Sequence, residues 1–226
     1  MKRRFAISIL SLVVVVAVVV GGPFGLSKIG FFQIRQVELV GVRYLSPQRL
    51  LERSGLAADQ NLFSSLEVVD RNLAAMPGVV DVRLKRRLPG TLRILVEERV
   101  PVAFAPTESG LQPLDASARP LPYDPVNADL DLPIVPDADS FVIGVLATIR
   151  TADFSLYSDI DAALRGRDRD VILELGSQEL MLRGYPTSSE ITAIDVVRRE
   201  LSETGREFHQ IDVRFSGRVI VRRGGE

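Results

Sequence analysis

The pattern of apolar and charged positions divides the chain into an uncharged front and an alternating body. Lys2, Arg3 and Arg4 precede residues 5–27, which contain no charged side chain and include a run of leucine, valine and one alanine over residues 12–20. As a helix rising about 1.5 Å per residue, those residues reach about 34 Å, enough for a hydrocarbon core of about 30 Å. This predicts a transmembrane helix over 5–27. The basic flank places residues 1–4 in the cytoplasm and the body outside it, by the positive-inside rule. A cleaved signal peptide has the same basic start, but its apolar region is shorter, and Pro23, Phe24 and Leu26 prolong the apolar stretch here.

Beyond the front, the periodicity changes from element to element. Residues 34–40 have strand composition and end at Gly41. Ser46-Pro47 reads as an N-cap with proline at the first helical position, opening a helix over 48–53 that stops at Gly55. Leu62, Leu66, Val69, Leu73 and Met76 recur at helical spacing, predicting a second helix over 62–76 closed by Pro77-Gly78. Val80, Val82 and Leu84 then alternate with Asp81, Arg83 and Lys85; after Leu88-Pro89-Gly90, Leu92, Ile94 and Val96 repeat the alternation. The order strand, helix, helix, strand, strand predicts an α+β layer in which two helices cover one face of a three-stranded sheet.

Further along, helices are expected over 141–150 and 157–164. Strands over 171–175 and 179–183 flank Gly176-Ser177-Gln178. Thr187 and Glu190 form a capping box for a helix whose apolar stripe is Ile191, Ile194, Val197 and Leu201, stopping near Gly205. Ile211-Asp212-Val213-Arg214-Phe215, a turn at Ser216-Gly217 and Arg218-Val219-Ile220-Val221-Arg222-Arg223 read as a closing hairpin.

Charge and composition narrow the function. Removing Lys2, Arg3 and Arg4 from the 28 basic residues leaves 25 against 29 acidic, a formal charge of −4 on the body, which argues against nucleic-acid binding as its main role. With no cysteine, there is neither disulfide framework nor thiol chemistry. His209 is the only histidine, with no Gly-x-Ser-x-Gly or His-Glu-x-x-His around it, so a structural or surface role is expected. Asp129, Asp131, Asp137 and Asp139 lack the glycine and closing glutamate of a calcium loop. Glu97 and Glu98 are adjacent on a strand and point to opposite faces, so they cannot flank one glycosidic bond. Arg83, Lys85 and Arg87 share one face, read as solvated, with a partner or membrane surface as the alternative. No catalytic, cofactor or metal residue is assigned, and no enzymatic activity or cofactor is expected.

The strand order, with Val37-Glu38-Leu39-Val40-Gly41 early and Pro77-Gly78-Val79-Val80-Asp81-Val82-Arg83-Leu84 later, resembles a POTRA domain. The continuation from Leu88-Pro89-Gly90 through Glu97-Glu98-Arg99-Val100-Pro101 is similar to the version in the FtsQ/DivIB family of bacterial cell-division proteins. The segment from Leu111 to Leu114 and on through Arg119 to Pro122 resembles that family's hairpin opening a second domain, although Ala116-Ser117-Ala118 stands where a turn glycine is usual. The resemblance implies a POTRA domain over 32–100, a β-rich domain over 101–223 ending in a hairpin, and a tail of 224–226. It also implies a single-span divisome scaffold in the inner membrane that binds small division proteins of the FtsB and FtsL type, expected at the division septum and supporting septal peptidoglycan synthesis. The free edge of the last strand is the expected contact, with Phe215, Val219, Ile220, Val221 and Arg222 as candidates. Two rivals are a POTRA-based polypeptide transport or assembly module, which lacks the expected barrel, and a membrane-anchored wall hydrolase, which lacks a catalytic set.

Overall fold

A computed structural model describes residues 30–205, 208–215 and 218–222. The predicted span over 5–27, the turn at 216–217 and the tail lie outside the described residues. Among the described residues, no helix is long and apolar enough to cross a membrane. The chain divides into two compact units, one ending at Glu98 and the other beginning at Arg99.

The first unit is the predicted α+β layer. Strands β1 (Gln36–Val40), β2 (Val79–Arg87) and β3 (Thr91–Glu98) form a sheet in the order β1-β3-β2, with β1 parallel and β2 antiparallel to the central β3. Helices α1 (Pro47–Ser54) and α2 (Glu67–Ala74) supply Leu50, Val69 and Leu73 to a core closed by Leu92, Ile94 and Val96. Ser46 caps α1 by accepting from the Arg49 amide, and Gly55 ends it in the left-handed region at φ 70°.

Two expectations need correction here. The second helix begins at Glu67, not at Leu62. The Asn61 side chain accepts the Phe63 amide at 2.9 Å and Ser64 donates to the Asn61 carbonyl at 2.6 Å, a local turn that competes with the helix. Leu62 is therefore fully buried from a turn, although its spacing fits a helix. The apolar alternation of β2 also starts differently. A bulge between Val79 and Asp81 buries Val79 and leaves Val80 about half exposed, with Val82 back on the core side.

The second unit centres on a five-stranded sheet in the order β10-β9-β8-β7-β6, built from β6 (Ala162–Arg165), β7 (Asp170–Leu175), β8 (Gln178–Arg183), β9 (Gln210–Phe215) and β10 (Arg218–Arg222). All neighbours are antiparallel except β8 and β9, which run parallel. That crossover needs a connection over the sheet, and α5 (Ser188–Glu203) provides it. Its start is the predicted capping box: the Thr187 amide donates to Glu190 Oε2 at 2.7 Å and the Glu190 amide to Thr187 Oγ1 at 3.3 Å. Ile191 and Ile194 are buried, and Val197 and Leu201 pack beside them. Helix α3 (Ser140–Ala152), capped by Asp139, buries Val142, Ile143, Val145, Leu146 and Ile149 on the same side of the sheet.

Residues 157–164 do not form the expected helix. A short α4 (Phe154–Ser158) ends there, and Ala162–Arg165 is strand β6, because the Ala163 amide donates to the Ile134 carbonyl, the Ile134 amide to the Asp161 carbonyl and the Asp161 amide to the Glu174 carbonyl. The hairpin that the resemblance implied over 111–122 is present as an antiparallel bridge between Leu114 and Pro120, and another hairpin precedes it. Strands β4 (Pro101–Thr107) and β5 (Gly110–Asp115) turn at Glu108-Ser109. The next turn, at 115–119, is made without glycine because Asp115 Oδ1 accepts the Ser117 and Arg119 amides at 2.8 and 3.0 Å, with Ala118 held at φ 59°.

Candidate partner-binding edge

The two ends of the five-stranded sheet are finished differently. At β6, Ile134 bridges to Ala162 on one side and to Phe104 of β4 on the other, so that end is continued by more backbone. At β10 the only neighbouring strand among the described residues is β9. His209 donates its amide to the Arg222 carbonyl at 3.0 Å, which turns the backbone groups of Arg222 toward β9. Because these groups alternate along a strand, those of Val221 point the opposite way, into the open edge. Val219 lies in the register shift between Arg218 and Ile220.

The five candidate residues occupy different faces of this edge. Val219 packs against the core below the helices, and Val221 shares its face and is half-buried. Ile220 is 40 % exposed on the opposite, helix-free face, where Arg218 and Arg222 flank it. Registered pairing carries that face across the sheet as a row: Leu164, Ile172, Met181, Asp212 and Ile220. Phe215 lies at the far end of β9, 46 % exposed, with the Arg214 guanidinium 5.9 Å from its ring centre. The edge strand therefore offers backbone hydrogen-bonding groups, the exposed Ile220 and two arginines, with the exposed Phe215 on its neighbour β9.

Beneath the edge lies a charged cluster that the sequence reading did not single out. Arg214 donates Nε and Nη2 to the two oxygens of Asp212 at 2.9 and 2.7 Å, and Nη1 to Asp170 at 2.7 Å. Both aspartates are buried, and Arg183 reaches Asp170 at 3.3 Å. The hydrogen bonds from Arg214 hold the Asp212 carboxyl below the usual carboxylate range against the opposing effect of burial, and the same bonds raise the arginine further. The available signal was the i, i+2 spacing of Asp212 and Arg214, which puts opposite charges on one face of a strand. The cluster ties β9, the strand that carries the edge, to β7.

The other candidates resolve into structural roles. Asp139 Oδ1 caps α3 through the Phe141 and Val142 amides at 2.8 and 3.1 Å. His209 is exposed, and its backbone bonds to β8 and β10. Among the described residues no group of three or more His, Cys, Asp or Glu side chains is gathered for a metal. A cleft of about 610 Å³ beside α4 and α5 is lined by acids and bases that satisfy one another, Arg198 with Asp159 at 2.9 Å and Arg199 with Asp195 at 2.5 Å.

An α+β unit with two helices over a mixed three-stranded sheet has the layout of a POTRA domain, and a β-rich unit with an open terminal strand follows it. The sequence family described as POTRA domain, FtsQ-type, matches residues 32–99. A cell division protein FtsQ of Corynebacterium glutamicum is 24 % identical over 210 residues, covering 88 % of this chain and 92 % of that protein. FtsQ of Syntrophotalea carbinolica is 28 % identical over 167 residues, with 73 % of this chain and 55 % of that one covered. The solved extracytoplasmic domain of DivIB from Geobacillus stearothermophilus aligns with 47 % of this chain and 97 % of its own at 16 % identity, with a TM-score of 0.33, too low to define a shared fold. Residues 32–99 thus carry an FtsQ-type POTRA domain, and most of the chain is similar to proteins named cell division protein FtsQ.

Proposed function

We propose that the protein is a membrane-tethered scaffold of the division machinery, held by residues 5–27 with residues 1–4 in the cytoplasm and both folded units, 32–100 and 101–223, outside. It gathers small division proteins of the FtsB and FtsL type by adding a strand of the partner to β10, and so supports septal peptidoglycan synthesis without catalysing a reaction itself. The observation that carries this reading is the outward-facing backbone of Val221 on an edge strand. Main-chain pairing there supplies affinity, and the side chains of alternate residues supply selectivity. Ile220 places one exposed apolar side chain at the edge, beyond Asp212, so an added strand gains apolar contact as well as hydrogen bonds, while Arg218 and Arg222 favour acidic positions in that strand.

Val221→Pro removes the outward amide and leaves the β9 ladder without a lost bond. It is expected to lower capture of an FtsB/FtsL-type pair by the purified full-length chain at least tenfold, with an unchanged far-UV circular dichroism spectrum. Undiminished capture by the folded variant would rule out pairing at this edge.

A further inference from the structure

The first unit has a surface on which two large apolar side chains stand exposed among arginines. The segment 30–35 and the turn 88–90 are joined at one pole: the Arg35 and Gln36 amides both donate to the Gly90 carbonyl, at 2.8 and 3.2 Å. A side chain on Gly90 would meet the Gln33 carbonyl at 2.7 Å and Arg35 Nε at 2.9 Å, so only glycine lets the turn lie this close. Phe31 and Leu88, 60 % and 64 % exposed, stand out from this pole. Arg35 is anchored beside Phe31 by its bond to the Phe31 carbonyl at 3.1 Å, and Arg86 and Arg87 end β2 at the same turn. The nearby acids are Glu38, held by Arg93 at 2.7 Å and 3.8 Å from Arg87, and Asp59 on the adjoining loop.

Two exposed apolar side chains rimmed by Arg35 and Arg87, with Arg86 held by the Leu62 and Ser64 carbonyls, form a surface suited to a lipid headgroup layer. The apolar groups enter the acyl boundary while the guanidinium groups pair with phosphates. The chain itself brings this pole to a bilayer. Gly30 follows the uncharged stretch ending at Ser27 by three residues, at most about 11 Å of chain. We infer that this pole of the POTRA unit docks on an anionic phospholipid surface, Leu88 and Phe31 inserting and Arg35 and Arg87 binding phosphate. The inference rests on the proposed membrane anchor. Docking restricts the orientation of the first unit on the membrane, which a tether alone does not do.

Leu88 tests this better than Phe31, because it lies far from the anchor in sequence. The chain contains no tryptophan, so one introduced indole reports alone. Full-length Leu88→Trp is reconstituted into phosphatidylcholine vesicles with or without phosphatidylglycerol, using brominated acyl chains as quenchers. Val80→Trp, at the other end of β2 and about 26 Å away, is the comparison. The expected result is a blue-shifted indole at position 88 losing at least half its emission in phosphatidylglycerol vesicles, with the indole at position 80 unaffected. Adding Arg35→Gln and Arg87→Gln to Leu88→Trp should return the quenching to its value in phosphatidylcholine alone. A chain that floats with the vesicles while the Leu88→Trp and Val80→Trp variants emit alike overturns docking and leaves the anchor standing, and quenching unchanged by the two arginine substitutions also overturns it. A chain that does not float overturns the anchor and the docking with it.

Discussion

Arg214→Met isolates the charged cluster that supports the edge strand. The substitution keeps much of the aliphatic stem and removes three hydrogen bonds, two to Asp212 and one to Asp170. Asp170 retains Arg183 at 3.3 Å, whereas Asp212, 1 % exposed, loses its cationic partner. Removing one partner of a buried pair costs about 3–5 kcal/mol, a large part of the 5–15 kcal/mol that holds a typical domain together. The pH dependence carries a sign that distinguishes this account from simple loss of packing. In the parent, the Arg214 hydrogen bonds depress the Asp212 carboxyl, so its contribution is present above the unfolded value near 3.8 and is lost as pH falls through the lower folded value. In the variant the side-chain bonds are gone while burial remains, opposed only by the Arg214 amide and by Arg222, so the same carboxyl rises relative to the parent and its folded state gains from protonation at higher pH. The deficit should therefore be greatest at pH 7 and shrink on acidification toward pH 4, by about 1.4 kcal/mol per unit of displaced pKa. Urea unfolding followed by far-UV circular dichroism measures it, and amide exchange in β8 and β9 locates it. Adding Asp212→Leu should restore most of the loss, since replacing both partners by apolar groups is often neutral. A deficit under about 1 kcal/mol at pH 7, or one constant from pH 7 to 4, would refute the account.

Two further substitutions test the first unit. Gly41 sits at φ 85°, and an added Cβ would run into the Val96 carbonyl of β3, so Gly41→Ala should destabilise the unit by more than about 1 kcal/mol, seen as a lower urea midpoint at constant m-value. Glu98 accepts the Arg43, Tyr44 and Leu45 amides at 2.9, 2.8 and 2.9 Å, fixing the loop after β1 to the end of β3. Glu98→Ala should cost about 2–3 kcal/mol and speed exchange of those three amides, and unchanged exchange would show that the loop is held by other means.

What the sequence makes legible follows from the range over which each signal acts. Strand β3 is readable because Leu92, Ile94 and Val96 alternate without interruption, and all three are buried. The α5 cap is readable because Thr187 and Glu190 are three residues apart and complete their motif locally. The bulge at Val79 escapes a period-two reading, since it depends on how β2 meets β3. Residues 62–66 fit helical spacing by their leucines, yet Asn61 and Ser64 offer the backbone a competing turn whose outcome the apolar period does not encode. Strand β6 is legible only through Ile134 and Glu174, partners far away in the chain. For the candidate site, sequence order locates the last strand and its residue types. Its status as an edge depends on the parallel β8–β9 pairing, which places β9 beside β8 and leaves β10 outermost.

That topology also explains why this edge, among the open ones, suits a partner. Strand β2 also pairs on one side alone among the described residues, but it presents Arg83, Lys85, Arg86 and Arg87 in close succession, and such density of like charge opposes addition of another strand. Strand β10 separates its two arginines by three residues, Val219, Ile220 and Val221, and one of these faces the same side as the arginines and is apolar. A strand with acidic residues opposite Arg218 and Arg222 and an apolar residue opposite Ile220 gains both electrostatic and apolar contacts, while a neutral or basic strand leaves the arginines poorly compensated. On the proposed reading, the charges that guard the edge against indiscriminate pairing are the same groups that select a partner. The proposed tether would act on this selectivity: an edge confined to the membrane would meet partners anchored in the same surface at a raised effective concentration, so a modest intrinsic affinity for the right strand would suffice.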